Sequence, residues 1–301
     1  MAALDCPGPN HYASGHRMTP PPLSQWIGKT ESTTDLATAA PYAALSAALD
    51  WPAQRPIDGT PLPALWHWLY FLPLHRQSEI GPDGHGRRGA FMPPVALPRR
   101  MWAGSQLQFH RPLRIGDALM RRSFIESIQE KSGRSGALVF VRVRHELHRQ
   151  GEAEVALTEW HDIVYREAAK PGDAAPAPRP APSACQWSRR LTPDEVLLFR
   201  YSALTFNGHR IHYDRAFATQ TEGYPGLVVH GPLIATLLMD LLRRHLSDAD
   251  VASFEFKALR PLFDGRPMTV AAQAAGDGKT LQLWAADHEG WLAMNATATL
   301  R

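Results

Sequence analysis

Two stretches of the chain alternate apolar and polar residues with a period of two. The first, residues 105–167, is broken at three turn-like points near residues 114–117, 131–136 and 149–151. This alternation is typical of antiparallel strands that bury one face on a core. We therefore predict four antiparallel strands in this stretch. Residues 251–301 show the same alternation and predict four more strands.

Helix-like apolar patterns precede both sets of strands. Residues 36–50 are rich in alanine and leucine at helical spacing and predict a helix, which Thr33, Thr34 or Asp35 would cap. Residues 232–244 form a second apolar run of helical length. The chain thus predicts a helix before each sheet, so that each sheet has a cover for its buried face.

The segment between the first helix and the first strands carries a dense aromatic run. Residues 62–72, LPALWHWLYFL, predict a further strand, because aromatic residues are concentrated there and Pro63 and Pro73 bound the run. Residues 73–98 are rich in glycine, proline and charge. We expect them to form a long surface loop that could cover or enter a binding cleft.

The order of these signals occurs twice along the chain. Residues 169–185 consist mostly of alanine and proline and predict a semi-rigid linker. The motif RPLFDG in the second part echoes RPLRIGD in the first. We therefore predict two copies of one helix-on-sheet unit, residues 23–168 and residues 186–301, after a disordered tail over residues 1–22.

Composition limits the classes of partner. In the 301-residue chain, 32 Lys and Arg nearly balance 29 Asp and Glu, and the net charge of +3 is scattered. Scattered charge argues against nucleic acid as the main partner, although an anionic small ligand remains compatible with it. The amino-terminal segment has no continuous apolar region, so we expect neither a signal peptide nor a membrane span. A cytoplasmic location follows, with the mitochondrial matrix as the alternative.

Cofactor and metal signatures are weak. Cys6 and Cys185 show no metal-site spacing and indicate a reducing compartment without a structural disulfide. His209 and His212 have an HxxH spacing, but no third ligand cluster accompanies them, so we expect no metal. No glycine loop of the dinucleotide or nucleoside-triphosphate type is present, and we expect no separate cofactor.

Candidate chemistry is concentrated in two neighbouring segments. They read FRYSALTFNGHRIHYD, residues 199–214, and YPGLVVHGPLI, residues 224–234. His212 is the natural acid or base, because an unperturbed imidazole titrates near neutrality; a histidine that is simply exposed in a turn is the alternative. Gly231 precedes Pro232 at the predicted helix start, where unpaired N–H groups suit an oxyanion. A glycine needed only for a tight turn is the alternative there.

These motifs resemble the active-site signature of the MaoC-like, or R-specific, enoyl-thioester hydratases and dehydratases. NGHRIHYD followed by YPGLVVHGPL carries the resemblance in the second half. In the first half, WIGKTESTTD, LWHWLYFLP and GRSGALVFVRVRHEL resemble the amino-terminal unit of two-domain members, among them the mesaconyl-C4-CoA and itaconyl-CoA hydratases. The resemblance implies an α+β double hotdog fold, in which each unit wraps a long helix in an antiparallel sheet. It also implies reversible hydration of an enoyl-CoA thioester, with a C4 dicarboxyl acyl group expected and coenzyme A present only as part of the substrate.

The resemblance implies a catalytic set of His212, Asn207 and Gly231, with the Gly231 N–H stabilising the oxyanion. Asn207 stands where the family most often has aspartate. An amide cannot accept a proton at useful pH but can donate and accept hydrogen bonds, so Asn207 would orient the water or the thioester. The alternative is a residue that only supports the turn. Asp214 is expected to orient His212 or to cap a following turn.

Four further residues are predicted to line the substrate site: Arg210, Tyr224, Pro225 and His230. Arg210 could meet a phosphate or a substrate carboxylate, and a merely solvated arginine is the alternative. We interpret His230 mainly as a structural residue that ties two loops together.

The first unit lacks a comparable histidine cluster, so we predict that it is non-catalytic and completes the acyl pocket. Basic residues that could meet the phosphates of coenzyme A are Arg99, Arg100, Arg121, Arg122 and Lys257. Dehydration of 3-hydroxyacyl groups on acyl-carrier protein or coenzyme A is the first alternative activity. A thioesterase and a non-catalytic acyl-thioester-binding protein are further alternatives, and exposed sheet edges make a homodimer plausible.

Overall fold

The computed structural model describes residues 21–52, 55–133, 136–168 and 177–301. Its strands, in chain order, are β1 (Thr30–Leu36), β2 (Arg99–Phe109), β3 (Ala118–Gly133), β4 (Gly136–Arg149), β5 (Leu157–Arg166), β6 (Trp187–Leu191), β7 (Val251–Ala258), β8 (Met268–Ala274), β9 (Thr280–Ala286) and β10 (Leu292–Leu300). Three α-helices accompany them: α1 (Ala39–Ala48), α2 (Glu195–Thr205) and α3 (Gly231–His245). In the part of the chain that is described, no helix is long and apolar enough to cross a membrane.

All ten strands form one antiparallel sheet in the order β1-β3-β4-β5-β2-β7-β10-β9-β8-β6. Read from its outer edge, each half has the same order: first, third, fourth, fifth and second strand. The halves meet where β2 pairs with β7, from Gly104 opposite Lys257 to Gln108 opposite Ser253. Gly104 permits this close approach, because a Cβ there would lie 2.3 Å from the carbonyl oxygen of Phe256.

The strands predicted from period-two alternation are confirmed. Residues 105–167 form β2 to β5, with β2 beginning earlier, at Arg99. The carboxylate of Asp117 accepts the N–H of Arg114 at 2.8 Å and closes the first predicted turn. Residues 251–301 form β7 to β10. The helix predicted over residues 232–244 is α3.

The helix predicted over residues 36–50 is shorter than expected. Residues 30–36 form β1, which pairs with β3 and contains all three predicted capping residues, Thr33, Thr34 and Asp35. Alternating threonines expose every second side chain and suit an edge strand. The helix α1 therefore starts only at Ala39.

The strand predicted over residues 62–72 is wrong. Trp66–Leu69 form a 3-10 turn, and Leu65 and Phe71 have positive φ values of 71° and 56°. Consecutive side chains, Leu65, Trp66 and His67, are all buried, which a strand with one buried face cannot achieve. The aromatic residues fill space on several sides of the turn.

The two halves differ in what covers the sheet. Ten consecutive residues of α3, Leu233 to Leu242, are buried, so this helix is surrounded by protein on all sides. The described part of the first half has no helix of comparable length. There the 3-10 turn and part of the 73–98 loop cover the sheet, and Val95 packs with Val139, Val141 and Ile163.

The predicted unit boundaries stay a prediction. Residues 1–20 of the predicted tail and residues 169–176 of the predicted linker lie outside the described residues. The remainder of the linker lies along the second half, where Pro180 forms a bridge with Trp291 and the N–H of Ala181 donates to Gly290.

Candidate active site

The loop that follows α2 positions His212. The helix ends at Thr205, and Phe206 has a positive φ of 50° that turns the chain away from the helix axis. Asn207 then accepts the N–H of His209 with its side-chain oxygen at 3.0 Å. This short-range bond is a typical Asx turn, and it leaves the side-chain NH₂ of Asn207 without a protein acceptor within the described ranges.

His212 is held as a neutral base. Its Nδ1 lies 2.7 Å from the carbonyl oxygen of Val228. A carbonyl can only accept, so Nδ1 carries the proton and Nε2 keeps its lone pair. Burial lowers the pKa of His212 to about 4, although the bond to Val228 opposes this effect. Near neutral pH the ring is therefore uncharged and able to accept a proton.

His230 supports the ring of His212 from one side. The two rings stack with centroids 3.7 Å apart and an angle of 17°. His230 has no exposed surface, and its Nε2 lies 2.8 Å from the hydroxyl of Ser202 in α2. Burial, with the nearby charges of His212 and His209 when they are protonated, lowers the pKa of His230 well below its usual value. The stack therefore holds two neutral rings and fixes the plane of His212.

Gly231 begins α3 directly after His230. Its N–H has no hydrogen-bond partner among the residues that are described. A Cβ at this position would meet nothing within 4 Å, and its φ is not positive. Neither packing nor backbone conformation therefore requires a glycine. The free N–H lies at the positive end of the helix dipole, beside open space and next to the histidine stack.

The 73–98 loop of the first half packs against residues 207–210, which precede His212. A Cβ on Gly84 would lie 1.8 Å from the carbonyl oxygen of Gly208, so the two backbones touch. The N–H of Arg210 donates to Asp83 at 2.9 Å, and its guanidinium donates to Pro82 at 3.0 Å. The candidate site is therefore assembled from both halves of the chain.

The same loop brings together a group that sequence reasoning missed. Asp83, His85 and His209 each place a possible metal-ligand atom within 4.8 Å of the others. The Nδ1–H of His85 donates to Asp83 at 3.0 Å, and the rings of His85 and His209 lie 4.2 Å apart. These three residues are the ones in the described chain that could hold a metal ion. No local pattern signals this group, because His209 lies far along the chain from the other two.

Their electrostatics follow from burial and from one another. Burial, together with positive charge on His85 and His212, lowers the pKa of His209 to about 2. Burial also lowers the pKa of His85. For Asp83, burial raises the pKa, but the hydrogen bond and charge of His85 outweigh it and the net pKa is lowered. Asp83 is therefore a carboxylate beside two neutral imidazoles.

The other predicted site residues lie around this centre. Arg210 forms an ion pair with Asp214 at 2.7 Å and packs over the ring of Phe217 at 4.3 Å. Asp214 also accepts the N–H of Phe217 at 3.0 Å, so it caps the next turn. Tyr224 is half-buried against Phe263, and Pro225 beside it is exposed.

A second buried group lies on the sheet of the first half. We name Ser105, His145, Glu159 and His161 the inner polar cluster. The carboxylate of Glu159 accepts from Ser105 at 3.0 Å and from His67 at 3.2 Å, and Glu159 is only 3% exposed. The signal was present in the sequence, because the period of β5 puts Glu159 and His161 on the same face as the apolar Ile163 and Tyr165.

The pKa values of the inner polar cluster are shifted far from their usual values. Burial lowers the pKa of His145 to about 4 and that of His161 to about 3. Burial raises the pKa of Glu159, but the hydrogen bond and charge of His67 and the charges of the other histidines lower it to about 2. The cluster is therefore a buried carboxylate among imidazoles.

Comparisons with known proteins agree with this architecture. The profile of the hydroxyacyl-thioester dehydratase type 2 family matches residues 65–264. Mesaconyl-C(4)-CoA hydratase of Chloroflexus aurantiacus is 47% identical over 278 residues, which cover 91% of this chain and 96% of that protein. Hydroxyacyl-thioester dehydratase type 2, mitochondrial, of Schizosaccharomyces pombe is 27% identical and covers 70% of this chain and 78% of its own.

Solved structures show the same fold at low sequence identity. A MaoC-like dehydratase aligns with a TM-score of 0.70 and 14% identity, covering 93% of this chain and 99% of its own. A Mycobacterium tuberculosis protein with a double hotdog fold aligns with a TM-score of 0.51 and 15% identity, covering 91% and 96%. The α+β double hotdog fold expected from the sequence is confirmed. The chain belongs to the hydroxyacyl-thioester dehydratase type 2 family, whose named relatives are hydro-lyases.

Proposed function

We propose that the protein catalyses the reversible hydration of an enoyl-CoA thioester, with mesaconyl-C4-CoA as its preferred substrate. The observation that carries the proposal is the free Nε2 of neutral His212 beside the unpaired N–H of Gly231. A relative with this substrate in its name shares 47% identity over 91% of the chain, which supports the choice of acyl group.

The arrangement supplies the two things that hydration of a conjugated thioester requires. One is a base for the water, and the other is a donor for the oxygen that becomes negative. Gly231 would donate its N–H to the thioester oxygen. His212 would hold the attacking water through Nε2, and the free NH₂ of Asn207 would orient that water or the thioester.

One residue, His212, carries both proton transfers of the reaction. The water oxygen bonds to the β-carbon while Nε2 of His212 takes one water proton. The electron pair of the double bond moves through the α-carbon to the thioester oxygen, which becomes an enolate held by Gly231. The imidazolium returns its proton to the α-carbon, and the enolate collapses back to the thioester. His212 ends neutral, and H and OH have been added across the double bond.

Dehydration of a 3-hydroxyacyl thioester is the same reaction in reverse and uses the same residues. The family profile and the yeast relative favour this direction as the second candidate, on either coenzyme A or acyl-carrier protein. Itaconyl-CoA is the second candidate among C4 dicarboxyl substrates.

Other expectations about partners and location stay proposals. The acyl-CoA thioester is the partner that the chemistry needs, and we expect no nucleic acid. Strands β1 and β6 form the two edges of the sheet, and a second copy could pair along either of them. A homodimer would appear as a doubled mass in sedimentation. A cytoplasmic location, with the mitochondrial matrix as alternative, rests on the sequence.

A single assay tests the activity. Purified protein is given crotonyl-, mesaconyl- and itaconyl-CoA while loss of enoyl-thioester absorbance and release of free thiol are followed together. We expect loss of absorbance without thiol release, and we expect His212→Ala to abolish it because Nε2 of His212 is the base of the proposed mechanism. His245→Ala is the matched control, since His245 stacks on Trp187 at the other end of α3.

Each alternative gives a different result. Thiol release without hydration would identify a thioesterase. No reaction with any thioester, together with tight binding, would identify a non-catalytic binding protein. Near-normal hydration by His212→Ala would contradict the assignment of the base.

A further inference from the structure

Arg100 lies on the inner face of β2, between two groups of histidines. It stands opposite the fully buried Tyr165 of β5 and two residues before Trp102, so it shares the face of Trp102. The ring of Trp102 lies 4.0 Å from that of His161 in the inner polar cluster. Arg100 is itself half-buried. Its side chain therefore starts beside the inner polar cluster.

The loop that carries His85 passes over the same place. The guanidinium of Arg88 lies 4.7 Å from the ring centre of Tyr165, which stands opposite Arg100. Asp83 and Gly84 of this loop contact residues 208 and 210, just before His212. In agreement with this position, the positive charge of Arg100 contributes to the low pKa values of His85, His209 and His161, although burial is the largest cause for each. Arg100 therefore lies between the loop before His212 and the inner polar cluster.

Arg100 differs from Arg88 and Arg99 in having no partner among the described residues. Arg88 donates to the carbonyls of Val95 and Leu97 at 2.6 Å, and Arg99 pairs with Glu222 at 3.0 Å. Arg100 makes no hydrogen bond or ion pair with any residue described. Its nitrogens are not among the buried atoms that lack a partner, so the five donors of this half-buried guanidinium face open space and can meet a ligand. The position is therefore prepared for an anion.

The positive charges near Asp83, His85 and His209 disfavour a metal ion at these three residues. Asp83, His85 and His209 could hold a metal ion, but Arg88 and Arg100 both act on His85 as positive charges. The single carboxylate of Asp83 is already engaged by His85. A metal ion would meet net repulsion here, whereas a carboxylate would meet the free guanidinium.

We propose that Arg100 binds the second carboxylate of the substrate and thereby selects dicarboxyl thioesters over monocarboxyl ones. This inference rests on the proposed function. In mesaconyl-C4-CoA the free carboxylate is attached to the β-carbon, the atom that water attacks. A carboxylate there lies close to the water held by His212, and a planar guanidinium can grip it with two parallel hydrogen bonds. By neutralising the negative charge of this carboxylate, Arg100 also keeps the β-carbon electrophilic.

The test compares two substrates that differ only in this carboxylate. The acyl group of cis-2-butenoyl-CoA is that of mesaconyl-C4-CoA with a hydrogen in place of the carboxylate and the same double-bond geometry. We expect Arg100→Met to lower kcat/KM for mesaconyl-C4-CoA roughly 100-fold or more, because the substrate carboxylate loses its partner. The value for cis-2-butenoyl-CoA should change less than about threefold. Arg100→Lys should recover part of the loss, since it restores the charge but not the two-point contact.

Controls distinguish binding of the substrate carboxylate from binding of a coenzyme A phosphate. If Arg100 binds a coenzyme A phosphate instead, both substrates lose affinity equally, and the proposal is overturned. Arg190→Met removes an exposed arginine of β6, the far edge strand of the sheet, and should affect both substrates alike and weakly. A lowered thermal midpoint of Arg100→Met with parallel losses on both substrates would indicate a structural role and would also overturn it.

Binding of unreactive analogues keeps the test independent of catalysis. Calorimetry with succinyl-CoA and butyryl-CoA measures the preference for a second carboxylate without any hydration step. We expect the wild-type protein to prefer succinyl-CoA and Arg100→Met to lose the preference. If the wild type hydrates nothing but keeps this preference, the proposed function fails and the role of Arg100 stands. Equal affinities in both proteins would refute the role of Arg100 alone.

Discussion

The carbonyl of Val228 decides which nitrogen of His212 can act as a base. Because this carbonyl accepts the Nδ1–H at 2.7 Å, Nε2 is left as the acceptor. The stack on His230 prevents the ring from rotating out of this arrangement. In the proposed mechanism a ring held in one tautomer carries both proton transfers, and Asn207 only positions what His212 acts on.

The backbone N–H of Gly231 can be tested by substitution. Gly231→Pro removes the N–H but suits the first turn of a helix, where that N–H makes no helical bond. Hydration should fall roughly 100-fold in kcat, because one oxyanion donor is lost. Gly231→Ala keeps the N–H, and the free energy of unfolding should change by no more than about 0.5 kcal/mol, because a Cβ meets nothing within 4 Å.

Steady-state kinetics and urea unfolding of the two variants check this prediction. If Gly231→Pro kept its turnover while remaining folded, the oxyanion donor would have to be sought elsewhere. A stability loss in Gly231→Ala would show that the glycine serves packing.

The residues of this site differ in how visible they are in the sequence. His212, Asn207 and Gly231 lie within one short region whose motif carries the family signature, so local reading finds them. His85 comes from the first half, and the contacts of the 73–98 loop with residues 208 and 210 bring it beside His209, which packs against His212. No spacing rule connects residues that meet through tertiary contacts.

At the scale of elements, α3 connects the candidate site to both halves. The carboxylate of Asp240, near its carboxyl end, is only 4% exposed. It accepts from Trp51 of the first half at 2.5 Å, from Arg189 of β6 at 3.1 Å and from Arg244 at 2.8 Å. A single buried carboxylate thus holds α3 to β6 and to the segment after α1.

Removing this carboxylate should destabilise the protein. In Asp240→Ala two guanidinium groups and one indole N–H lose their acceptor, and we expect the free energy of unfolding to fall by about 3 kcal/mol. Asp248→Ala removes an exposed carboxylate on the same side of the chain and should change it by less than about 0.5 kcal/mol. Urea unfolding of both variants measures the difference. Equal stabilities would mean that the buried ion pairs contribute nothing.

Element prediction succeeded where one pattern dominated. Strands β2 to β5 alternate over long stretches, and α3 is apolar over most of its length, so periodicity identified them. The run around Trp66 failed, because aromatic density is shared by strands and by buried turns. Tertiary contacts hold this turn: Trp66 packs on Tyr42 of α1 at 4.7 Å, and His67 and Trp68 contact Glu159 of β5. No local propensity encodes such contacts.

At the scale of the whole molecule, buried histidines make stability depend on pH. His145 and His212 have pKa values of about 4 in the folded state, and His161 about 3, against 6.5 when unfolded. Below pH 6.5 the unfolded chain therefore binds more protons than the folded one. By linkage, stability is complete above pH 6.5 and falls as the pH drops from 6.5 toward 4.

Urea midpoints at pH 7.5, 6.0 and 5.0 test this dependence. We expect a progressive loss over this range and a shallower one in His161→Gln, which removes one titrating group. Glu159 adds a separate loss at lower pH, because its pKa of about 2 lies below the ordinary value of 4.5, and its contribution disappears between 4.5 and 2. A flat profile between pH 7.5 and 5.0 would show that these rings are protonated in the folded protein.

The junction at Gly104 has a consequence for how the chain reaches its native state. Within each half, two of the four strand pairings join consecutive strands, whereas the paired residues of β2 and β7 lie about half the chain apart. Contacts of such high sequence separation form slowly, because a long loop must close before they stabilise anything. Each five-stranded half can fold early, and formation of the β2–β7 ladder should then set the rate of folding. A side chain at Gly104 would obstruct that last step, so Gly104→Ala should slow refolding far more than a matched change at a strand centre within either half.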